Sequence, residues 1–249
     1  TDRGEQERLL SMLPEGTVDL IDRALAEDLG EGDHTTRATI PSGVHGAARL
    51  LVKQDGVLAG VELAEAIVRR HAPGLTLKTY LLDGAAVKAG DIAFTLLGDQ
   101  RGILEVERLV LNFMQRMSGI ATRTRQYVDA VADTRCRILD TRKTTPGLRA
   151  IEKWAVRIGG GLNHRMGLYD MLMIKDNHAD FAGGITPAIS SARSYLKEQG
   201  LDLPIEVETR SLEEVEEVLA AGGVQRIMLD NFDPHTLRQA VERIGHRYE

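Results

Sequence analysis

The spacing of apolar residues changes twice along the chain. At 18–28, Leu20, Ile21, Ala24 and Leu25 fall at helical intervals, which predicts a helix ended by Gly30 and Gly32. From 47 to 98 short apolar runs (48–52, 75–82, 92–97) alternate with glycine turns at Asp55-Gly56, Asp83-Gly84 and Ala89-Gly90, with a helical segment at 62–71 between them. That texture predicts a small α+β domain with a mostly antiparallel sheet. Residues 105–132 then predict one long helix, with a break expected near Ser118-Gly119.

Beyond that helix the rhythm becomes strand and helix in turn. Apolar runs at 137–139, 171–174, 204–207 and 226–229 each end in a charged residue: Asp140, Lys175, Glu208 and Asp230. Helical segments are predicted between them at 148–159, 186–199 and 211–221. The alternation predicts parallel strands, and continuous apolar runs predict a sheet covered on both faces. Charged residues at the carboxyl ends of strands carry chemistry in an α/β barrel and in a doubly wound sheet alike. The pattern alone leaves those two open.

Composition narrows the function. A chain of 249 residues, 43% hydrophobic and 27% charged, is long enough for one large α/β domain or two modest ones. A formal net charge of −6 argues against a general nucleic-acid binder but permits a local basic pocket. Cys136 is the single cysteine, so the sequence can form no intrachain disulfide and no cysteine-based metal site, which suits a reducing cytoplasm. No apolar run approaches the roughly 20 residues of a membrane span. The N-terminal Asp2, Arg3, Glu5 and Glu7 lack a signal-peptide pattern, and a start at Thr1 rather than Met predicts trimming.

In this acidic chain, Arg142, Lys143, His164, Arg165 and Lys175 form a basic set around the predicted strand ends, opposed by Glu208 and Asp230. Arginine forks take carboxylate or phosphate bidentately and lysine adds a point charge. Two carboxylates at neighbouring strand ends can hold Mg²⁺ in company with phosphate. The set therefore predicts a single cavity for a highly anionic ligand with a metal; the alternative is a series of salt bridges capping the strands. Glu206 and Glu208 share a strand face, and at least one of them is expected to point into the barrel or cleft, where a buried carboxylate calls for a cation or hydroxyl ligand.

Other features have plainer readings. Gly159, Gly160 and Gly161 could cradle phosphate, but a turn is the commoner use. His34, His45, His71, His235 and His246 have no paired ligand spacing and are expected at the surface or in local hydrogen bonds. His178 is expected to cap a strand end, Cys136 to pack inside the first barrel strand, and Trp154 to lie in a core or interface. Glu213, Glu214, Glu216 and Glu217 are expected on a solvated helix face, and Asp28 and Asp33 in turns or caps.

The longer motifs carry a resemblance. Asp140-Thr141-Arg142-Lys143-Thr144, Pro146-Gly147-Leu148-Arg149, Glu152-Lys153, Ala155-Val156, the three glycines, Asn163-His164-Arg165, Gly167-Leu168-Tyr169-Asp170 and Ile174-Lys175-Asp176-Asn177-His178 resemble the quinolinate phosphoribosyltransferase signature. So do Glu107-Arg108, Leu111-Asn112, Gln115 and Ser118-Gly119-Ile120-Ala121-Thr122 upstream. Glu27-Asp28-Leu29-Gly30-Glu31-Gly32-Asp33 with Thr35 and Thr36 completes the resemblance, which spans most of the chain.

The resemblance implies an α/β chain with an N-terminal α+β sandwich domain over 1–107 and an open, TIM-like α/β-barrel catalytic domain over 108–249. It implies transfer of phosphoribosyl from phosphoribosyl pyrophosphate to quinolinate with loss of carbon dioxide, giving nicotinate mononucleotide. Arg142, His164 and Arg165 would hold the quinolinate carboxylates. Lys143 and Lys175 would neutralise phosphate and pyrophosphate, and Glu208 and Asp230 would bind ribose hydroxyls and Mg²⁺. Arg108 would reach into the other subunit of a homodimer or larger assembly. Family members continue past the position of Glu249 with segments that complete the barrel and hold the 5′-phosphate, so the last barrel strands are expected to be missing here. Competing readings are a related enzyme acting on nicotinate or another acid, including the molybdenum-operon relative, and a non-catalytic anion-binding protein. The full set of cations favours a diacid.

Overall fold

A computed structural model of the chain describes residues 10, 11 and 13–248, the side chain of His246 excepted, so the N-terminal charges and His246 lie outside the described residues. By contacts the chain forms two units, Thr1–His164 and Arg165–Glu249, each with its own hydrophobic core.

The first unit opens with helices α1 (Thr17–Leu29) and α2 (His34–Thr39). Asp33 caps α2 by accepting from the Thr36 N–H at 2.9 Å, the cap role expected for it. Strands β1 (His45–Leu51), β3 (Thr76–Thr79) and β5 (Ile92–Asp99) form an antiparallel sheet in the order β1-β5-β3, with a register irregularity between Leu50 and Leu51. Strands β2 (Gly56–Val57) and β4 (Ala86–Val87) make a second, short antiparallel ladder, and α3 (Val61–His71) lies between β2 and β3 in the chain. The antiparallel α+β expectation is met.

Helix α4 (Gln100–Ala130) runs without interruption through Ser118-Gly119, where a break was expected. Its buried positions, Ile103, Val106, Val110, Phe113, Met114, Met117 and Ala121, keep helical spacing through that point. Ser118 does not compete with its own backbone. Its hydroxyl accepts from the Ala59 N–H at 2.9 Å and donates to the Ala59 carbonyl at 3.1 Å. Thr122 accepts likewise from the Val57 N–H at 2.9 Å. Ser118 and Thr122, one helical turn apart, thus tie the helix to β2 and the residues just after it.

Residues 137–139 are not a strand. Only an isolated parallel bridge joins Leu139 to Leu162, held by Leu162 N–H to Ile138 O at 2.8 Å and Asp140 N–H to Leu162 O at 3.1 Å. Leu139 and Leu162 are both exposed, so no apolar face drives a longer ladder. Cys136 is exposed, not packed inside a strand. Helix α5 (Arg149–Ile158) follows, and Trp154 packs half-buried against the first core, as expected. The glycine run after it serves close packing. A Cβ on Gly159 would lie 2.6 Å from the Ala121 carbonyl oxygen, and one on Gly161 2.9 Å from the Thr124 methyl.

In the second unit β6 (Leu172–Ile174), β7 (Ile205–Thr209) and β8 (Arg226–Leu229) form a parallel sheet in sequence order. Helices α6 (Asp176–Ala182) and α7 (Ile185–Gln199) connect the first pair, α8 (Leu212–Ala221) connects the second, and α9 (Pro234–Ile244) follows. The strands are not apolar on both faces. Ile174, Ile205, Val207 and Ile227 pack with Ile189, Val215, Val218, Ala240 and Ile244 in one core. The alternate positions, Met173, Glu206, Glu208, Arg226 and Met228, belong to the opposite face. No closed barrel is formed among the described residues.

Candidate active site

The predicted site residues are distributed over both units. Arg142 and Lys143 lie in the loop between the Leu139 bridge and α5, and His164 closes the first unit. Arg108 is exposed on α4. Arg165, Lys175, Glu208 and Asp230 belong to the second unit.

The loop is held at both ends by α5. At its start, Asp140 accepts from the Lys153 ammonium, from Asn163 Nδ2 at 2.5 Å and from the His164 N–H at 2.8 Å. At its end, Glu152 accepts from the Thr145 N–H at 3.1 Å and from the Arg116 guanidinium. Arg149 donates to the Thr144 hydroxyl at 3.1 Å and to the Arg142 carbonyl at 3.4 Å. Glu152 and Lys153 are buried neighbours on one helix, a place where charged groups are rare unless paired. Between these anchors Lys143 is exposed, while Arg142 is half-buried. Among the described residues Arg142 Nε is buried with no hydrogen-bond partner. A guanidinium N–H so placed is suited to an incoming carboxylate.

In the second unit, parity of the parallel register puts Lys175, Glu208 and Asp230 on the sheet face opposite the core. Lys175 Nζ stands 3.8 Å from Glu208 Oε2. Strand β7 continues to Thr209, so Glu208 lies within the strand rather than at its end. Asp230 follows β8 directly, its N–H bound to the Thr209 carbonyl at 2.9 Å. Asn231 then adopts φ 57°, a left-handed conformation that asparagine tolerates, and donates Nδ2 to Asp230 Oδ2 at 2.9 Å. Asn231 is a part of the site edge that sequence reasoning missed.

Two residues earlier on the same strand face, Glu206 is fully buried and Arg226 Nη1 lies 3.3 Å from its Oε2, so its cation is a side chain of the neighbouring strand. Arg165, also buried, donates to the Met171 carbonyl at 3.2 Å. The turn after it is closed by Asp170, which accepts from Met166 and Gly167 N–H groups at 2.7 and 2.9 Å. His178 Nδ1 accepts from the Lys175 N–H at 2.9 Å, so its ring caps α6 at the strand end as expected. His235 bonds Gln239 at 2.9 Å, a local contact, whereas His71 bonds Glu105 at 2.8 Å and so links α3 to α4. The acidic stretch on α8 is only partly solvated: Glu214 binds Arg210, Glu216 binds Arg243, and Glu217 accepts from the Thr186 N–H.

Among the described residues no three His, Cys, Asp or Glu side chains converge as a metal cage. Glu208 and Asp230 instead offer oxygen donors on one sheet face, at two adjacent strands, with the Lys175 ammonium alongside Glu208. That donor set fits Mg²⁺, which takes one or two carboxylates and fills its remaining positions with water and substrate phosphate.

No helix among the described residues is long and apolar enough to cross a membrane. The family model for the N-terminal domain of quinolinate phosphoribosyl transferase matches residues 33–118, and that for its C-terminal domain matches 120–249. The chain is 50% identical to the chloroplastic nicotinate-nucleotide pyrophosphorylase (carboxylating) of Arabidopsis thaliana, over 92% of this chain and 70% of that one. It is 46% identical to a probable nicotinate-nucleotide pyrophosphorylase (carboxylating) of Synechocystis, over 88% of this chain and 73% of that one. Among solved structures it is similar to NadC from Streptococcus pyogenes, at 40% identity and a TM-score of 0.87, over 93% of this chain and 80% of that one. With both domain models matched in order and these relatives sharing close to half of its residues, the chain belongs to the quinolinate phosphoribosyltransferase family.

Proposed function

We propose that this protein transfers phosphoribosyl from phosphoribosyl pyrophosphate to quinolinate, with decarboxylation, to yield nicotinate mononucleotide, pyrophosphate and carbon dioxide. The observation that carries the reading is the loop of 140–145. It is clamped at both ends and carries Arg142, whose buried Nε–H has no partner among the described residues, beside an exposed Lys143. The names of the relatives, which include quinolinate phosphoribosyltransferases (decarboxylating) of Nicotiana tabacum, point the same way.

In this reading Arg142, His164 and Arg165 take the two quinolinate carboxylates, and Lys143 and Lys175 take phosphate and pyrophosphate charge. Glu208 and Asp230 hold the ribose hydroxyls and Mg²⁺, which when bound screens the charge of the leaving pyrophosphate. The pyridine nitrogen forms a bond to the anomeric carbon as the bond to pyrophosphate breaks. The ribose is then oxocarbenium-like, and the Glu208 and Asp230 carboxylates lower its energy electrostatically. The alkylated ring is cationic. The bond to the carboxyl next to the nitrogen breaks, carbon dioxide leaves, and the electron pair stays on the ring carbon beside the positive nitrogen until it takes a proton from water. No covalent nucleophile is needed. Holding the two substrates together contributes up to roughly 7–11 kcal/mol in favourable cases.

The three parallel strands of the second unit are read as consecutive units of an open barrel. The division into an N-terminal domain over 1–107 and a catalytic domain over 108–249 puts the boundary inside α4. The enzyme works as a homodimer or larger, with Arg108 supplied across the interface. The proposed compartment is the cytoplasm, which the exposed thiol of Cys136 suits. The test is release of labelled carbon dioxide from quinolinate, dependent on phosphoribosyl pyrophosphate and Mg²⁺. Turnover of nicotinate with none of quinolinate would overturn the substrate assignment in favour of a related enzyme.

A further inference from the structure

We propose that the buried Lys153–Asp140 pair is a positioning device that sets the Arg142–Lys143 loop and the His164 backbone in one fixed relation, so that Lys153 governs quinolinate recognition without touching it. The inference rests on the functional reading above. Lys153 is 1% exposed. A lysine so buried loses its hydration, which offsets much of the attraction, so the pair is weak evidence for stability, and fixing one geometry among several is a use attested in other proteins. The connections fit that use. The Lys153 ammonium donates to Asp140 and, at 3.0 Å, to the His164 carbonyl. Asp140 in turn holds the His164 N–H and Asn163 Nδ2, and Asn163 Nδ2 also reaches the Lys153 carbonyl at 2.8 Å.

Three segments that are distant in sequence therefore meet on one ammonium–carboxylate pair: the start of the loop, the middle of α5 and the end of the first unit. Two of them lie close in the chain to a residue assigned to substrate: Asp140 is two positions before Arg142, and Asn163 adjoins His164. The adjacent Glu152 fixes the other end of the loop at Thr145. The loop thus hangs from consecutive side chains of one helix turn, and a shift of Lys153 moves both cation positions at once.

The test compares three variants with the parent. Lys153→Met removes the ammonium. Asp140→Asn/Lys153→Met makes the pair neutral while keeping an acceptor for the His164 N–H. Asn163→Ala removes one uncharged strut. The expected result is a double variant that melts near the parent yet has a kcat/KM for quinolinate lower by about 100-fold, the scale of a 1 Å misplacement. Asn163→Ala is expected to show a smaller loss in the same parameter. A merely structural role predicts that the double variant recovers activity together with stability, and parent kcat/KM in it or in Asn163→Ala overturns the proposal. Hydrogen exchange gives a readout independent of turnover: amides of 141–145 and His164 exchange faster in the Lys153 variants, and unchanged exchange also overturns it. Failure of the functional reading shows instead in the parent, as absence of quinolinate-dependent carbon dioxide release.

Discussion

Lys175 and Glu208 stand one residue beyond the Ile174–Val207 pairing of two parallel strands, with their charged ends 3.8 Å apart. The separation exceeds a hydrogen bond, and Lys175 is largely exposed, so the pair adds little to stability. Under the proposed function, the lysine would turn to phosphate and the carboxylate to a cation once substrate is bound.

Glu208→Gln should therefore raise the Mg²⁺ concentration for half-maximal activity by about 10-fold or more, since charge-assisted contacts contribute roughly 1.5–3 kcal/mol. The melting temperature should barely move. Titration of activity with Mg²⁺ at saturating substrates checks this, and an unchanged half-saturation point removes Glu208 from the metal assignment.

Arg142→Ala should abolish measurable turnover while leaving the fold intact. Arg142 is half-buried with an N–H that has no hydrogen-bond partner among the described residues, so its removal costs the folded state little. Under the proposed function quinolinate would lose a bidentate anchor, and kcat/KM should fall by well over about 100-fold, below detection. Near-normal activity with a normal circular dichroism spectrum refutes the role.

Gly159→Ala should destabilise the first unit by about 1–3 kcal/mol, the range for overpacking a tight contact. The backbone at Gly159 has an ordinary φ of −69°, so strain is not the cause. The obstacle is the Ala121 carbonyl oxygen at 2.6 Å, a backbone atom that cannot swing aside. Denaturant unfolding measures the loss, and parent stability would show that α4 and α5 can separate slightly at no cost.

Asp83 supplies a pH test. Burial pushes its carboxyl above the usual carboxylate range, against the Val61 and Glu62 N–H bonds that pull it down. A group raised in the folded state favours folding below its unfolded pKa, and that advantage is lost as pH rises through the folded value. Relative to Asp83→Asn, the parent should be most stable below about pH 4 and lose ground toward neutrality. Thermal melts of both proteins between pH 4 and 7 read the difference; a flat or opposite trend rejects the assignment.

Much of this was legible in the residues. Helical periodicity located α1, α3 and α4, and strand-helix alternation located β6, β7 and β8, because both patterns are local consequences of which face is buried. The errors have non-local causes. Ser118-Gly119 resembles a helix break until Ala59 arrives to take the hydroxyl. Residues 137–139 have a strand's composition without a neighbour to complete the ladder.

The sequence by itself determined the family, the two kinds of sheet and the residue types that can bind an anionic pyridine and a sugar phosphate. Tertiary structure decided which charges are available for that work. Glu206 is occupied by Arg226 and His178 by the Lys175 amide, whereas Glu208 keeps a loose partner. Glu152 and Lys153, two charged letters on a helix, became the anchors of a loop. The physical reason is that a charge owes its function to its surroundings: burial, distance and competing partners are fixed only when remote segments meet.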